Sequence, residues 1–352
     1  MALIAGLGAQ TPIGLTAMET AFMYRTGLPG MREAPIQDAE EQPITFCTVN
    51  TLPTHALAGE RALTLGTEAL HECTAPHLDA LKQMRLEILC CIDEFMAEVP
   101  QGSLSAAQYL ANGLRDEVRR WFDQKPEIRL HPSGPGGFGA ILPEACERLA
   151  KGEIQALLLG GMHSDYHPQR IQALEQHGRL YSREHLDAVL PGEGAAFVLL
   201  TTEHLARHLG IEPWGTLHAC GTAHERATPY NDESVYEAAG MTVALRKATA
   251  ELRSAGVQVG WQLNDVGFEH YRIAEWQAIA MRTRDLWCEP GRIDMPLARV
   301  GYQGGATLPL HMVLAAEAWR RGWAPHQRVV SLTGSDTGAR TAVLMSSEGA
   351  SR

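Results

Sequence analysis

Leu130-His131-Pro132-Ser133-Gly134-Pro135-Gly136-Gly137-Phe138-Gly139 is the stretch on which the reading of this 352-residue chain turns. It is a turn of small residues opening onto a helix expected over Gly139–Lys151. An apolar strand over Ile154–Leu159 then ends in Gly160-Gly161. A polar loop follows, and a second strand over Ala195–Leu200 comes directly after Gly192-Glu193-Gly194. Glycines at a helix mouth permit close backbone approach, and the first amides of a helix can hold an anion.

Outward from this centre, strand-like and helix-like stretches alternate, which favours a layered α/β architecture. Further strands are predicted over Leu3–Gly6, Arg85–Ile92, Trp214–Cys220, Val266–His270, Val329–Leu332 and Thr341–Met345. Further helices are predicted over Leu15–Tyr24, Ala56–Glu72, Ser105–Trp121, Val235–Ala255, Arg272–Arg284 and Thr307–Arg321. Pro29–Pro53, with Pro35 and Pro43 inside it, reads as a surface excursion. Each half opens on a strand ending in small residues, Ala5-Gly6-Leu7-Gly8 and Ala219-Cys220-Gly221-Thr222, then builds a long helix and closes on a strand hairpin. Ile211-Glu212-Pro213 makes the seam, giving halves 1–211 and 212–352.

Composition narrows the function classes. Hydrophobic residues at 45% supply a substantial core. Forty-one acidic against 30 basic residues give a net charge of −11, which argues against a general nucleic-acid binder. Arg115, Arg119 and Arg120, and Arg320 with Arg321, read as solvated helix faces. Seven cysteines in a chain this long make no disulfide framework. Cys90 and Cys91 read as buried strand thiols, and a reducing cytoplasm fits. Ala2–Gly8 is apolar but lacks a basic start, so it reads as a strand and turn rather than a signal peptide. No apolar run approaches the ~20 residues of a membrane span.

The order of these segments resembles the β-ketoacyl-ACP synthases of the thiolase fold. Ile4-Ala5-Gly6-Leu7-Gly8-Ala9-Gln10-Thr11-Pro12-Ile13-Gly14 is similar to their first strand and turn. Ala145 to Glu153 followed by Gly160-Gly161 is similar to the helix and strand after their nucleophile, and Gly192-Glu193-Gly194-Ala195 to their glycine-acid-glycine hairpin. Val300-Gly301-Tyr302-Gln303-Gly304-Gly305-Ala306 stands where they carry a glycine-histidine segment, and Ser331–Arg340 where they carry a glycine-rich loop. The resemblance implies two duplicated α/β halves in a layered αβαβα unit and a dimer paired through the strand before the nucleophile turn. That strand is either Leu86–Ile92 or Ile128–His131. It also implies acyl carrier protein as a partner and fatty acid or polyketide biosynthesis as the setting.

The family's chemistry needs a cysteine thiolate at a helix N-terminus and two histidines. Carried across the resemblance, those positions fall on Pro135, Asn264 and Tyr302, and the lysine before the second histidine falls on Leu297. Proline has neither a nucleophile nor an amide N–H for an oxyanion hole. The reading is a non-catalytic partner, scaffold or adaptor, paired with itself or with a sister ketosynthase-like chain, and using no cofactor. Two alternatives stay open. One is an acyltransferase, condensing or hydrolysing enzyme with Ser133 as nucleophile, His270 or His311 as base, and the amides of Gly136 and Gly137 holding an anion. The other is an accessory protein of a secretion or other multiprotein assembly. Gly301 and Gly334 join Gly136 and Gly137 as candidate binding positions. In the bland reading Ser133 caps the helix.

Other constellations carry less. His218, Cys220 and His224 match no common zinc spacing. Gly134 to Gly139 lacks the Lys-Ser/Thr ending of a phosphate loop. Met162 to His167 is read as interface or surface packing. Ser331 to Gly338 lacks the phenylalanine-glycine pattern of an acyl gate. With Tyr302 and Pro135 adding bulk and stiffness, this predicts a narrowed or filled site.

Overall fold

The computed structural model describes residues 1–122, 125–231 and 236–347. Ten strands form one sheet: β1 (Ala2–Gln10), β2 (Leu86–Ile92), β3 (Glu127–Pro132), β4 (Ala156–Ser164), β5 (Glu193–Thr201), β6 (Gly215–His224), β7 (Val259–Asn264), β8 (Trp287–Asp294), β9 (Arg328–Gly334) and β10 (Ala339–Ser346). Their spatial order is β8-β7-β9-β10-β6-β1-β5-β4-β2-β3. Reading outward from the centre, β1-β5-β4-β2-β3 on one side repeats as β6-β10-β9-β7-β8 on the other. The strand directions repeat as well: two antiparallel neighbours, then two parallel ones. The two series join where β1 meets β6 antiparallel over Ala2↔Leu217 to Ile4↔Gly215.

Seven helices cover the sheet: α1 (Ala17–Thr26), α2 (Ala58–Thr74), α3 (Ala106–Trp121), α4 (Phe138–Ala150), α5 (Ala239–Ala248), α6 (His270–Arg282) and α7 (Thr307–Arg320). Three buried clusters define the layers. The largest surrounds α4 and α7 and takes Leu89, Leu159, Val198, Leu263, Val329 and Val343 from strands of both series. A second packs α2 and α3 on the outer face of the first series, and a third packs α5 and α6 on that of the second. The arrangement is therefore α-β-α-β-α. Both faces of the parallel strands are covered, which is why β2 is apolar throughout, Leu-Glu-Ile-Leu-Cys-Cys-Ile, rather than alternating. Its one charge, Glu87, is buried and paired with Arg129 and Arg148.

The small residues of the two opening strands have a packing cause. A Cβ at Gly8 would lie 1.9 Å from the Ala69 carbonyl oxygen in α2, and one at Gly221 would lie 2.0 Å from the Ala244 carbonyl oxygen in α5. Only glycine lets each helix seat directly on its strand. Local signals set the helix ends: Ser105 and Gln108 form a reciprocal capping box on α3, and Gly27 stops α1 at φ 84°.

Several expectations are corrected. Val266–His270 is not a strand; the strand is Val259–Asn264, and α6 begins at His270. Pro29–Pro53 is not a loose excursion. Met31–Gln37 and Pro43–Cys47 form a hairpin whose Ala34, Ile36, Ile44 and Phe46 bury against Tyr166 and Ile171. The expected helix Val235–Ala255 is divided into Ala239–Ala248 and Ala250–Ser254, and Val235 lies outside the described residues. Of the two candidate pairing strands, Leu86–Ile92 is interior, flanked by β3 and β4, whereas β3 is an open edge. Among the described residues no helix is long and apolar enough to cross a membrane.

Candidate functional site

Parallel strands deliver their C-terminal ends to a common edge, where α/β proteins build their sites. Here five of the six such ends are followed by a polar residue: Asp93 after β2, Ser133 after β3, Asp165 after β4, Asp265 after β7 and Ser335 after β9, whereas Met295 follows β8. The two series meet at this edge. Gly136 in the turn before α4 donates its N–H to Ser335 Oγ at 2.9 Å, and Ser335 Oγ donates to the Ser133 carbonyl at 2.7 Å. Gly139 N–H reaches Thr341 Oγ1 at 2.9 Å, and that hydroxyl donates to the Gly136 carbonyl at 2.7 Å. A Cβ at Gly136 would sit 2.3 Å from the Ala339 carbonyl oxygen. The mouth of α4 is thus packed against β10 and the loop before it.

This fixes the sequence-based candidates. Ser133 does not cap α4, whose N-cap residue is Gly137 with no side-chain bond to the helix. Its Oγ lies 4.0 Å from Cys91 Sγ instead. His270 is exposed and paired with Asp187, and His311 is buried in α7 against Ser331 Oγ at 2.8 Å. Burial pushes the His311 imidazole down to about 3. Neither ring is a hydrogen-bonding partner of Ser133. The amides of the candidate binding glycines are occupied: besides Gly136, Gly137 N–H goes to the Gly134 carbonyl, Gly301 N–H to the Leu297 carbonyl and Gly334 N–H to Asp265 Oδ2. Pro135 is buried in the same turn. Asn264 ends β7 buried, its Oδ1 accepting the Val266 N–H at 3.0 Å. Tyr302 donates to Asp93 Oδ2 at 2.8 Å, with its ring edge-on to His163 at 5.0 Å.

The stretch Met162 to His167, expected at a surface or interface, is interior. His163, Ser164 and Asp165 are buried, and His167 caps a helix over Pro168–Gln176. His163 Nε2 is 3.2 Å from Asp165 Oδ1, yet neither ring nitrogen makes an aligned hydrogen bond. Asp165 also pairs with Arg170 at 2.7 Å. Burial would raise the Asp165 carboxyl, but His163 and Arg170 outweigh it and hold it at about 2.

Around this centre three arginines are each neutralised. Arg170 meets Asp165, Arg179 meets Glu269 and Asp336, and Arg272 meets Asp265 and Glu275. Arg340, fully buried, adds a bond to Glu275 and donates to the Ser335 carbonyl. A cavity of about 40 Å³ lies beside them, lined by Arg170, Arg179, Arg272, Tyr302, Asp265, Glu269 and Asp336 and by apolar Val189, Leu190, Phe268 and Leu297. Small-molecule sites run to roughly 300–1,000 Å³, so this one admits water and little else. Burial, and then the Asp93 charge, raises the Tyr302 hydroxyl well above its usual range. Sequence reading missed Asp93, Glu94, His163, Arg170 and Arg179. The polar residue after each apolar strand was the available signal for Asp93; no spacing rule announces the arginines.

No protein-family model matches the sequence, and no curated protein matches it. Solved structures do. The ishigamide ketosynthase/chain length factor aligns with a TM-score of 0.79 at 17% identity over 99% of each chain. A β-ketoacyl synthase from Burkholderia phymatum STM815 gives 0.75 at 17% identity over 98% of each. A type II polyketide ketosynthase solved in complex with its acyl-carrier protein gives 0.77 at 12% identity, again over 98% of each. The chain has the thiolase-like fold of the ketosynthases. Fold of itself does not assign an activity, which rests on the site.

Proposed function

We propose that this chain is a non-catalytic ketosynthase-like subunit that supports an active sister chain. The observation that carries the reading is the size of the cavity at this centre, about 40 Å³ between the paired Arg170, Arg179 and Arg272 and the apolar Val189, Leu190 and Phe268, where an acyl substrate would need a far larger channel. The mouth of α4 adds to it. Pro135 supplies no thiolate, Asn264 and Tyr302 supply no imidazole, and the Gly136 and Gly139 amides already have hydroxyl partners. Neither His270 nor His311 is hydrogen-bonded to Ser133, so the hydrolase or transferase reading lacks the base it was given.

Pairing has a candidate surface. Among the described residues strand β3 pairs with β2 alone, and its Ile128, Leu130 and His131 are half-buried rather than covered. An open edge of this kind invites a second strand. One neighbour in fold is described as a ketosynthase/chain length factor, and another as a ketosynthase bound to its acyl-carrier protein. We take a heterodimer with a catalytic sister, visited by an acyl carrier protein, over a homodimer, because two copies of this centre would offer no nucleophile. The seven cysteines are all free, in keeping with a reducing cytoplasm.

The test is native mass spectrometry of the tagged chain recovered from its own host. The expected species is a one-to-one complex with a chain that carries the family's cysteine and two histidines. A homodimer or a monomer as the sole species would defeat the proposal.

A further inference from the structure

A groove of about 820 Å³ lies between α1, the end of edge strand β8 and the last turns of α7, and shares Phe268 with the lining of the cavity at the charged centre. Its aromatic surfaces come from Tyr24, Trp261 and Trp323, and its cations are Arg25, Arg292 and Arg299. The one carboxylate in its lining, Asp294, is fully engaged. Asp294 Oδ1 accepts from Tyr24 Oη at 3.3 Å and from Arg292 Nε at 3.0 Å, and Oδ2 accepts from Trp261 Nε1 at 2.8 Å. That carboxylate therefore cancels Arg292 and fixes the orientation of two rings.

Arg25 and Arg299 remain. The Arg25 guanidinium rests over the Trp323 ring, 4.9 Å from its centroid, and Arg299 lies 6.0 Å from the Tyr24 centroid while donating to the Gly27 carbonyl. Among the described residues neither forms an ion pair. In a chain of net charge −11, the groove thus holds two guanidiniums beside aromatic faces with no carboxylate paired to either among the described residues. The volume falls within the range of small-molecule sites. Guanidinium groups on aromatic faces stay planar and keep N–H donors free for a phosphate or carboxylate.

We propose that this groove binds a planar aromatic anion of mononucleotide size, its ring against Trp323 and Tyr24 and its anionic group between Arg25 and Arg299. Its proposed contacts are none of the residues of the charged centre, and the assignment does not depend on the proposed function.

Calorimetry on the full chain tests it, with adenosine 5′-monophosphate as the probe and adenosine and inorganic phosphate as separate arms. The monophosphate is expected to bind about tenfold or more tighter than either fragment, since both halves of the site are used. Arg25→Glu should weaken the monophosphate about tenfold and leave adenosine unchanged. Trp323→Leu should weaken both. Arg25 is exposed, so its variant reports binding even if the tryptophan variant is unstable. No binding of the monophosphate at millimolar concentration, binding no tighter than phosphate alone, or full affinity in Arg25→Glu would overturn the assignment.

Discussion

Glu94 offers a quantitative handle on the buried centre. It follows Asp93 at the end of β2; Thr337 donates to its Oε1 at 2.7 Å, and a Cβ on Gly134 would meet its Oε2 at 2.3 Å. Burial, then the neighbouring Asp93 charge, pushes its carboxyl up from 4.5 to about 7. The folded chain therefore holds this proton where the unfolded chain has released it. Stability from the protonated group is complete below 4.5 and is lost as pH rises through 7. Between pH 5 and pH 7.5 the loss amounts to about 1.8 pH units, or about 2.4 kcal/mol at roughly 1.36 kcal/mol per unit. His311 works against it. Held down at about 3 by burial, its ring stays neutral in the fold and costs stability as pH falls below 6.5. Over the same interval that is about 2 kcal/mol of opposite sign, so the wild-type profile alone conceals both effects. Glu94→Gln isolates one of them, because the amide retains an acceptor for Thr337 and cannot ionise. Urea unfolding followed by tryptophan fluorescence should show the variant gaining about 2 kcal/mol on wild type between pH 5 and 7.5. Parallel pH profiles for the two proteins would refute the reasoning.

Three further outcomes are expected. Glu193, fully buried, binds Arg61 through both oxygens and accepts from Thr48, Val49 and Ser164; Glu193→Gln leaves the Arg61 cation uncompensated and should lower urea stability by about 3–5 kcal/mol. Gly8→Ala forces α2 off β1 and should cost about 1–3 kcal/mol in the same assay, whereas Gly152→Ala meets no atom within 4 Å and tests only the φ of 72°. Pro135→Cys should not take up an acyl group from acyl-CoA by intact mass, since the Gly136 and Gly139 amides stay with Ser335 and Thr341.

The fold was more legible than the site, for physical reasons. Strands buried on both faces print as apolar runs, so β2, β4, β5 and β10 stood out at once. Strand β7, Val-Gly-Trp-Gln-Leu-Asn, did not, because Gly260 and Gln262 break the run; a Cβ at Gly260 would meet Cys288 and His326. The hairpin over 31–47 was hidden by Pro35 and Pro43, yet it buries Ile36 and Phe46. Pro135, Asn264 and Tyr302 could be marked from segment order. What surrounds them could not: Arg170 and Arg272 have near neighbours in sequence as partners, but Arg179 with Asp336 and Arg340 with Glu275 are long-range pairs, and only the fold brings all four arginines together. Ser133 reads as a cap because it precedes a helix, and only the position of Thr341 shows that the second half supplies the acceptor for a first-turn amide, that of Gly139.

The claim that this centre carries no acyl chemistry is tested most directly by the intact mass of the wild-type chain after incubation with acyl-CoA and with acyl-loaded carrier protein. A single peak at the unmodified mass is the expected result. A stable acyl adduct that disappears in Ser133→Ala would contradict it.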